Sequence, residues 1–119
     1  MYQREVKTKG YHSLLVWQRM KELLILVYEL TKKLPKTEDF GLRSQIQRAI
    51  VSVISNFVEG YLKSSKKEKL HFLEIAETSL MEVEAQGEIC FILKYWSSED
   101  YQRFEGKRGE VGYLLLMLL

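Results

Sequence analysis

The chain is 119 residues long, enough for one domain with its own core and too short for two. Hydrophobic residues make up 46% and charged residues 29%, a balance that excludes a disordered chain, and no apolar run approaches the roughly 18–20 residues of a membrane span. The small net charge of +2 hides an asymmetry: residues 1–35 carry net +4, residues 36–69 net +3, residues 70–94 net −4 and residues 95–119 net −1.

Pro35 is the only proline, so the turn punctuation an all-β domain requires is missing. Cys90 is the only cysteine, and no internal disulfide ties the fold to an oxidising compartment. The opening stretch MYQREVKTKGYHS is polar and basic without the apolar core of a signal peptide. These features predict a polar arm over residues 1–13, a single domain over 14–119 and a cytoplasmic location.

The first helix is predicted over 14–34. Its apolar series Val16, Met20, Leu23, Val27, Leu30, Leu34 alternates steps of four and three, with Ser13 as N-cap and Pro35 as the stop. The second, over 42–62, follows Leu42, Ile46, Ala49, Val53, Phe57 and Gly60 after the short connection PKTEDFG, which makes the two helices antiparallel neighbours. The third, over 66–94, starts at the capping box Ser65-Lys66-Lys67-Glu68 and runs along Leu73, Ala76, Leu80, Val83, Gly87 and Cys90. The fourth, over 98–118, starts at Ser97 and runs along Tyr101, Phe104, Arg108, Val111, Leu115 and Leu118. Within it Gly106, Gly109 and Gly112 either admit a second backbone or weaken the helix.

Four amphipathic helices joined by short loops make an all-α, antiparallel up-down-up-down four-helix bundle. Trp17, Leu15, Leu26, Phe72, Ile89, Ile92 and Trp96 exceed what one such interior holds, which predicts self-association.

The sequence offers no catalytic constellation. A carboxylate-bridged metal pair in a bundle needs two Glu-x-x-His motifs, and this chain has one, Glu68–His71, whose glutamate already serves the capping box; His12 has no such partner. No Gly-x-Ser-x-Gly elbow, phosphate loop or dinucleotide fingerprint occurs. The expectation is a protein without enzymatic activity, metal or cofactor. Two polar features remain. Gln45, Arg48, Ser52, Asn56, Glu59 and Lys63 form one column on helix two, either a solvated face or a polar interface that sets register. Lys63, Lys66, Lys67 and Lys69 gather at the start of helix three, with Arg43 and Arg48 on helix two. Cations at a helix N-terminus oppose its dipole, so the cluster serves either solubility or phosphate binding.

The segment GLRSQIQRAIVSVISNFVEG (41–60), flanked by LLVWQRMKELLILVYELTKKLP and KSSKKEKLHFLEIAETSLMEVEAQ, resembles the signature of the four helix bundle protein family. That family includes proteins encoded in intervening sequences of bacterial 23S ribosomal RNA genes. The resemblance covers most of residues 14–96, and the family's pattern matches Gln45, Arg48, Ala49, Ser52, Asn56, Glu59 and Gly60. Two departures stand out: Ile54-Ser55 where a proline is common, and Lys63 where an arginine is usual. The resemblance implies a homopentamer. It is similar in fold to the accessory variability determinants of diversity-generating retroelements, which implies binding of RNA or DNA together with a reverse transcriptase.

The leading expectation is therefore a non-enzymatic homo-oligomer that binds structured nucleic acid. In it Arg43, Arg48, Lys63, Lys66 and Lys67 meet phosphate, while Gln45, Ser52, Asn56, Glu59, Gly60, Trp17 and Trp96 hold bundle or subunit geometry. The rival is a protein-interaction adaptor in which the basic first half of one subunit meets the acidic third helix of its neighbour.

Overall fold

A computed structural model describes residues 10–119, which form four α-helices: α1 (Leu15–Thr31), α2 (Leu42–Leu62), α3 (Lys66–Ile92) and α4 (Ser98–Leu118). Of the expected polar arm, positions 1–9 lie outside the described residues. Tyr11–Ser13 is a short 3-10 turn whose Tyr11 and His12 rings pack on Trp17 at 4.9 and 5.2 Å. Each helix packs against its chain neighbours and α4 returns against α1, so the all-α up-down-up-down bundle is the observed architecture.

The buried rows are the ones spaced by threes and fours. Val16, Met20, Leu23, Val27 and Leu30 of α1 face Ile46, Val53 and Phe57 of α2, with Ala76, Leu80 and Val83 of α3 and Phe104, Val111 and Leu115 of α4 closing the interior. The serine half of the capping box forms, with the Ser65 hydroxyl oxygen accepting from the Glu68 N–H, while the Glu68 side chain meets the Ser65 hydroxyl, which donates to Oε1, both at 3.1 Å, instead of the Ser65 N–H. Ser97 caps α4 in the same way through the Asp100 N–H.

Two helix ends differ from expectation. The N-cap position of α1 is Leu14, with no side-chain cap, because the Ser13 hydroxyl turns back to the Gly10 carbonyl at 3.0 Å. At its other end α1 stops at Thr31 instead of Leu34, since the residue before a proline is driven toward extended backbone and the unwinding spreads back through Lys32–Leu34. The third helix ends at Ile92, two residues early. Lys94 takes a left-handed conformation (φ 65°), and the N–H groups of Lys94 and Tyr95 reach the carbonyls of Phe91 and Cys90 in a Schellman turn.

The apolar surplus is smaller than the sequence suggests. Trp96 is 2% exposed and Leu26 is also buried, while Leu15, Ile89 and Ile92 remain on the surface. The indole N–H of Trp96 donates to the Leu30 carbonyl at 2.9 Å, which explains how a residue read as surface-forming enters the core. Other side chains take the exposed role, above all Phe40 at 98%.

The glycines divide by what surrounds them. A Cβ on Gly87 would lie 2.2 Å from the Phe104 ring, and one on Gly60 would lie 3.1 Å from the Lys69 carbonyl oxygen. Gly106 and Gly109 have nothing within 4 Å of the corresponding position. Gly87→Ala is expected to destabilise the fold by about 1–3 kcal/mol through overpacking, whereas Gly106→Ala should stabilise it by up to about 1 kcal/mol through helix propensity. Chemical denaturation of the two variants checks both signs, and equal effects would show that Phe104 does not sit on Gly87.

Candidate functional site

The basic cluster forms where α2 turns into α3. Lys66 and Lys67 occupy the first two helical positions of α3, exposed and without an ion pair or hydrogen bond from their ammonium groups among the described residues. Lys63 and Lys69 are engaged. Lys63 pairs with Glu59 at 3.5 Å and lies 5.3 Å from the Phe72 ring centre, and Lys69 donates to the Tyr61 carbonyl at 2.9 Å and lies 5.7 Å from that ring. The Ser65–Lys67 turn thus presents two unpaired ammoniums at the positive end of a 27-residue helix, flanked by two aromatic rings.

The two arginines grouped with this cluster in the sequence are elsewhere. Arg48 is exposed on α2, fifteen residues before Lys63, which is about 22 Å along a helix axis. Arg43 faces inward. Its guanidinium donates to the carbonyls of Thr31, Leu34 (2.6 Å) and Pro35 (3.3 Å) and pairs with Asp39 at 3.0 Å. It closes the carbonyl end of α1 and commits four of its five N–H donors, which leaves no paired fork for a phosphate. The only sequence signal for this role was an Asp four residues before an Arg at a helix entry.

The polar column of α2 splits likewise. Ser52 and Asn56 turn toward α3: the Ser52 and Ser79 hydroxyls lie 2.8 Å apart, and the Asn56 amide donates to the Ser52 carbonyl (2.9 Å) and hydroxyl (3.1 Å). With Gly60 they set the close α2–α3 contact. Gln45 and Arg48 instead line an open cleft of about 370 Å³ with Glu82 and Gln86 of α3. Glu59 is bound up with Lys63. Trp17 is half-buried in the aromatic cluster and Trp96 fully buried, so both serve the bundle interior.

Opposite this pair, α1 and α4 are zipped by ion pairs: Arg19–Glu110 at 3.1 Å, Glu22–Lys107 at 2.7 Å, Glu29–Arg103 at 3.7 Å and, just past the end of α1, Lys33–Asp100 at 2.6 Å. The Lys33 ammonium holds the Asp100 carboxyl below its ordinary range, against the opposing effect of burial. Burial, with Glu38 adding to it, pushes the Cys90 thiol up to about 12, so it stays protonated at neutral pH. Among the described residues no three His, Cys, Asp or Glu side chains gather as a metal site, and no helix is long and apolar enough to cross a membrane.

A model of the 23S rRNA-intervening sequence protein family matches residues 12–116. No curated protein matches the sequence. Among solved structures, a protein of unknown function from the S23 ribosomal protein family of Bacteroides thetaiotaomicron superposes with a TM-score of 0.80. It is 24% identical over 87% of this chain and 97% of that one, a likeness of fold.

Arg43→Ala leaves the Leu34 carbonyl without a donor among the described residues and the Thr31 and Pro35 carbonyls with one backbone N–H each, and should cost about 1–3 kcal/mol in thermal or denaturant unfolding; a loss near zero would mean that water replaces the guanidinium. For Asp100 the folded carboxyl is the stronger acid, so its contribution is complete above the ordinary carboxylate range and is lost as pH falls through the depressed value. Asp100→Asn is therefore expected to be less stable than the parent at pH 7, with the gap closing toward pH 2–3, as melting curves over a pH series would record.

Proposed function

The chain belongs to the 23S rRNA-intervening sequence protein family, and from that premise we propose that it is a non-enzymatic, homo-oligomeric helical bundle that binds structured nucleic acid, RNA or DNA, at the start of α3. The observation that carries this reading is the pair Lys66 and Lys67. Each is exposed and unpaired at the helix end where a cation is least favoured, a disadvantage of about 0.3–1 kcal/mol apiece. An anion docked there turns the disadvantage into attraction, because both ammoniums sit in the first turn, where the helix dipole also favours negative charge. Tyr61 beside Lys69 and Phe72 beside Lys63 are aromatic surfaces on which unpaired bases can stack. Arg48 adds a second, separate cation along the α2–α3 face.

Homo-oligomerisation, pentameric by analogy with the family, is supported by the large side chains left uncovered: Phe40 at 98%, Met117 at 67% and Ile92 at 64% exposure. Analogy of fold alone does not carry a ligand from one bundle to another, so the phosphate reading rests on the two lysines.

Titration of a labelled, structured ribosomal RNA fragment with the parent and with Lys66→Glu/Lys67→Glu, at two salt concentrations, tests the reading. The double variant should bind at least about tenfold more weakly at low salt and lose about two from the slope of log K against log salt, one for each phosphate contact. Equal affinity would refute the assignment. A parent that assembles but ignores RNA at every salt concentration would favour the adaptor reading, in which the unpaired carboxylates of α3 meet a protein.

A further inference from the structure

The charges of the bundle are not paired evenly. On α1, Arg19, Glu22 and Glu29 all have partners on α4. Lys21 on α1 and Lys32, the residue that caps its C-terminal end, have none among the described residues; both lie on the side opposite the core row and bracket Ile25, 61% exposed, and Tyr28, 40% exposed. The four follow one another at steps of four, three and four, so they form a single outward seam: cation, apolar, apolar, cation.

A matching seam of opposite sign runs along α3. The exposed Glu88 and the half-buried Glu77 have no cationic partner among the described residues, and the one buried carboxylate oxygen of Glu77, Oε2, has no hydrogen-bond donor there. Between them lie Met81, 62% exposed, and the exposed Ala85. Lys21 to Lys32 and Glu77 to Glu88 are both eleven residues, about 16 Å on a helix, so the two seams agree in length and in their apolar middle and are complementary in the charge of their ends.

The fold prevents the seams from meeting inside one chain. The packed helix pairs are α1–α2, α2–α3, α3–α4 and α4–α1, which leaves α1 and α3 at opposite corners. Resting on the homo-oligomer reading above, we propose that the α1 seam of one copy docks on the α3 seam of the next, with Ile25 and Tyr28 against Met81 and Ala85 and the lysines against the glutamates. Such a contact is heterologous: every copy offers both surfaces, and repetition of the contact gives a closed ring or an open chain rather than a two-fold dimer. Complementary charge ends around an apolar centre fix register and suppress wrong pairings. The RNA-binding lysines at the start of α3 lie outside the seam, so assembly and nucleic-acid binding use different residues.

The test is light scattering with sedimentation analysis of the parent, of Lys21→Glu/Lys32→Glu, of Glu77→Lys/Glu88→Lys and of the variant carrying all four changes, each checked for parent-like helicity by circular dichroism. Each half-reversed variant should fall toward the 14.1 kDa monomer, and the fourfold variant, with its charges exchanged, should regain the parent's mass. Half-reversed variants that assemble like the parent, or a fourfold variant that stays dissociated, would overturn this docking mode and leave the homo-oligomer reading standing. A parent that is monomeric at all concentrations would overturn both.

Discussion

The carbonyl end of α1 is the constraint around which the bundle is arranged. A helix that stops inside a packed structure leaves its last carbonyls without intrahelical donors, and burying them unpaired is costly. Here the donors come from distant segments. The Leu30 carbonyl takes the Trp96 indole, and those of Thr31, Leu34 and Pro35 take the Arg43 guanidinium. The Thr31 hydroxyl accepts from the Gln47 amide at 3.0 Å, and Tyr95 donates to Glu38 at 2.9 Å. One helix end thus ties α2 and the α3–α4 connection to α1, and it is where all four helices are held in register.

Away from that end, the helix pairs are held by different chemistry. The α2–α3 pair approaches closely enough that Gly60 has no room for a side chain, and a small neutral network of Ser52, Ser79 and Asn56 fills the contact. The α1–α4 pair is bordered by ion pairs that are mostly half-exposed, where solvent screening leaves each contributing little to stability. Those pairs neutralise one side of the bundle and leave the unpaired charge on the outer faces of α1 and α3 and at the start of α3. The distribution of unused charge, more than the total of +2, gives the surface its character.

Cys90, Gly87 and Gly106 show how context decides residues that composition leaves ambiguous. Cys90 lies in the core row of α3, and burial keeps its thiol protonated, which makes it a small apolar side chain in effect. Gly87 and Gly106 are the same residue in helices of the same bundle. One is required by the Phe104 ring that rests on it, while the other faces open space.

The sequence by itself determined the number of helices, the bounds of α2 and α4, the cap at Ser65 and the identity of most core residues, because steps of three and four, caps and a lone proline are local properties of the chain. It also made the family legible through the Gly41–Gly60 segment. Only the tertiary structure decided where the polar side chains go. Arg43 and Lys66 look alike in sequence, yet one donates to three carbonyls at and just past the end of another helix and the other is unpaired at a helix end. Trp96 likewise looked like a surface residue until its indole was placed 2.9 Å from a carbonyl 66 positions away. A long polar or amphipathic side chain is satisfied by whichever donor or acceptor the fold brings within reach, and that partner is set by distance in space, which no spacing along the chain encodes.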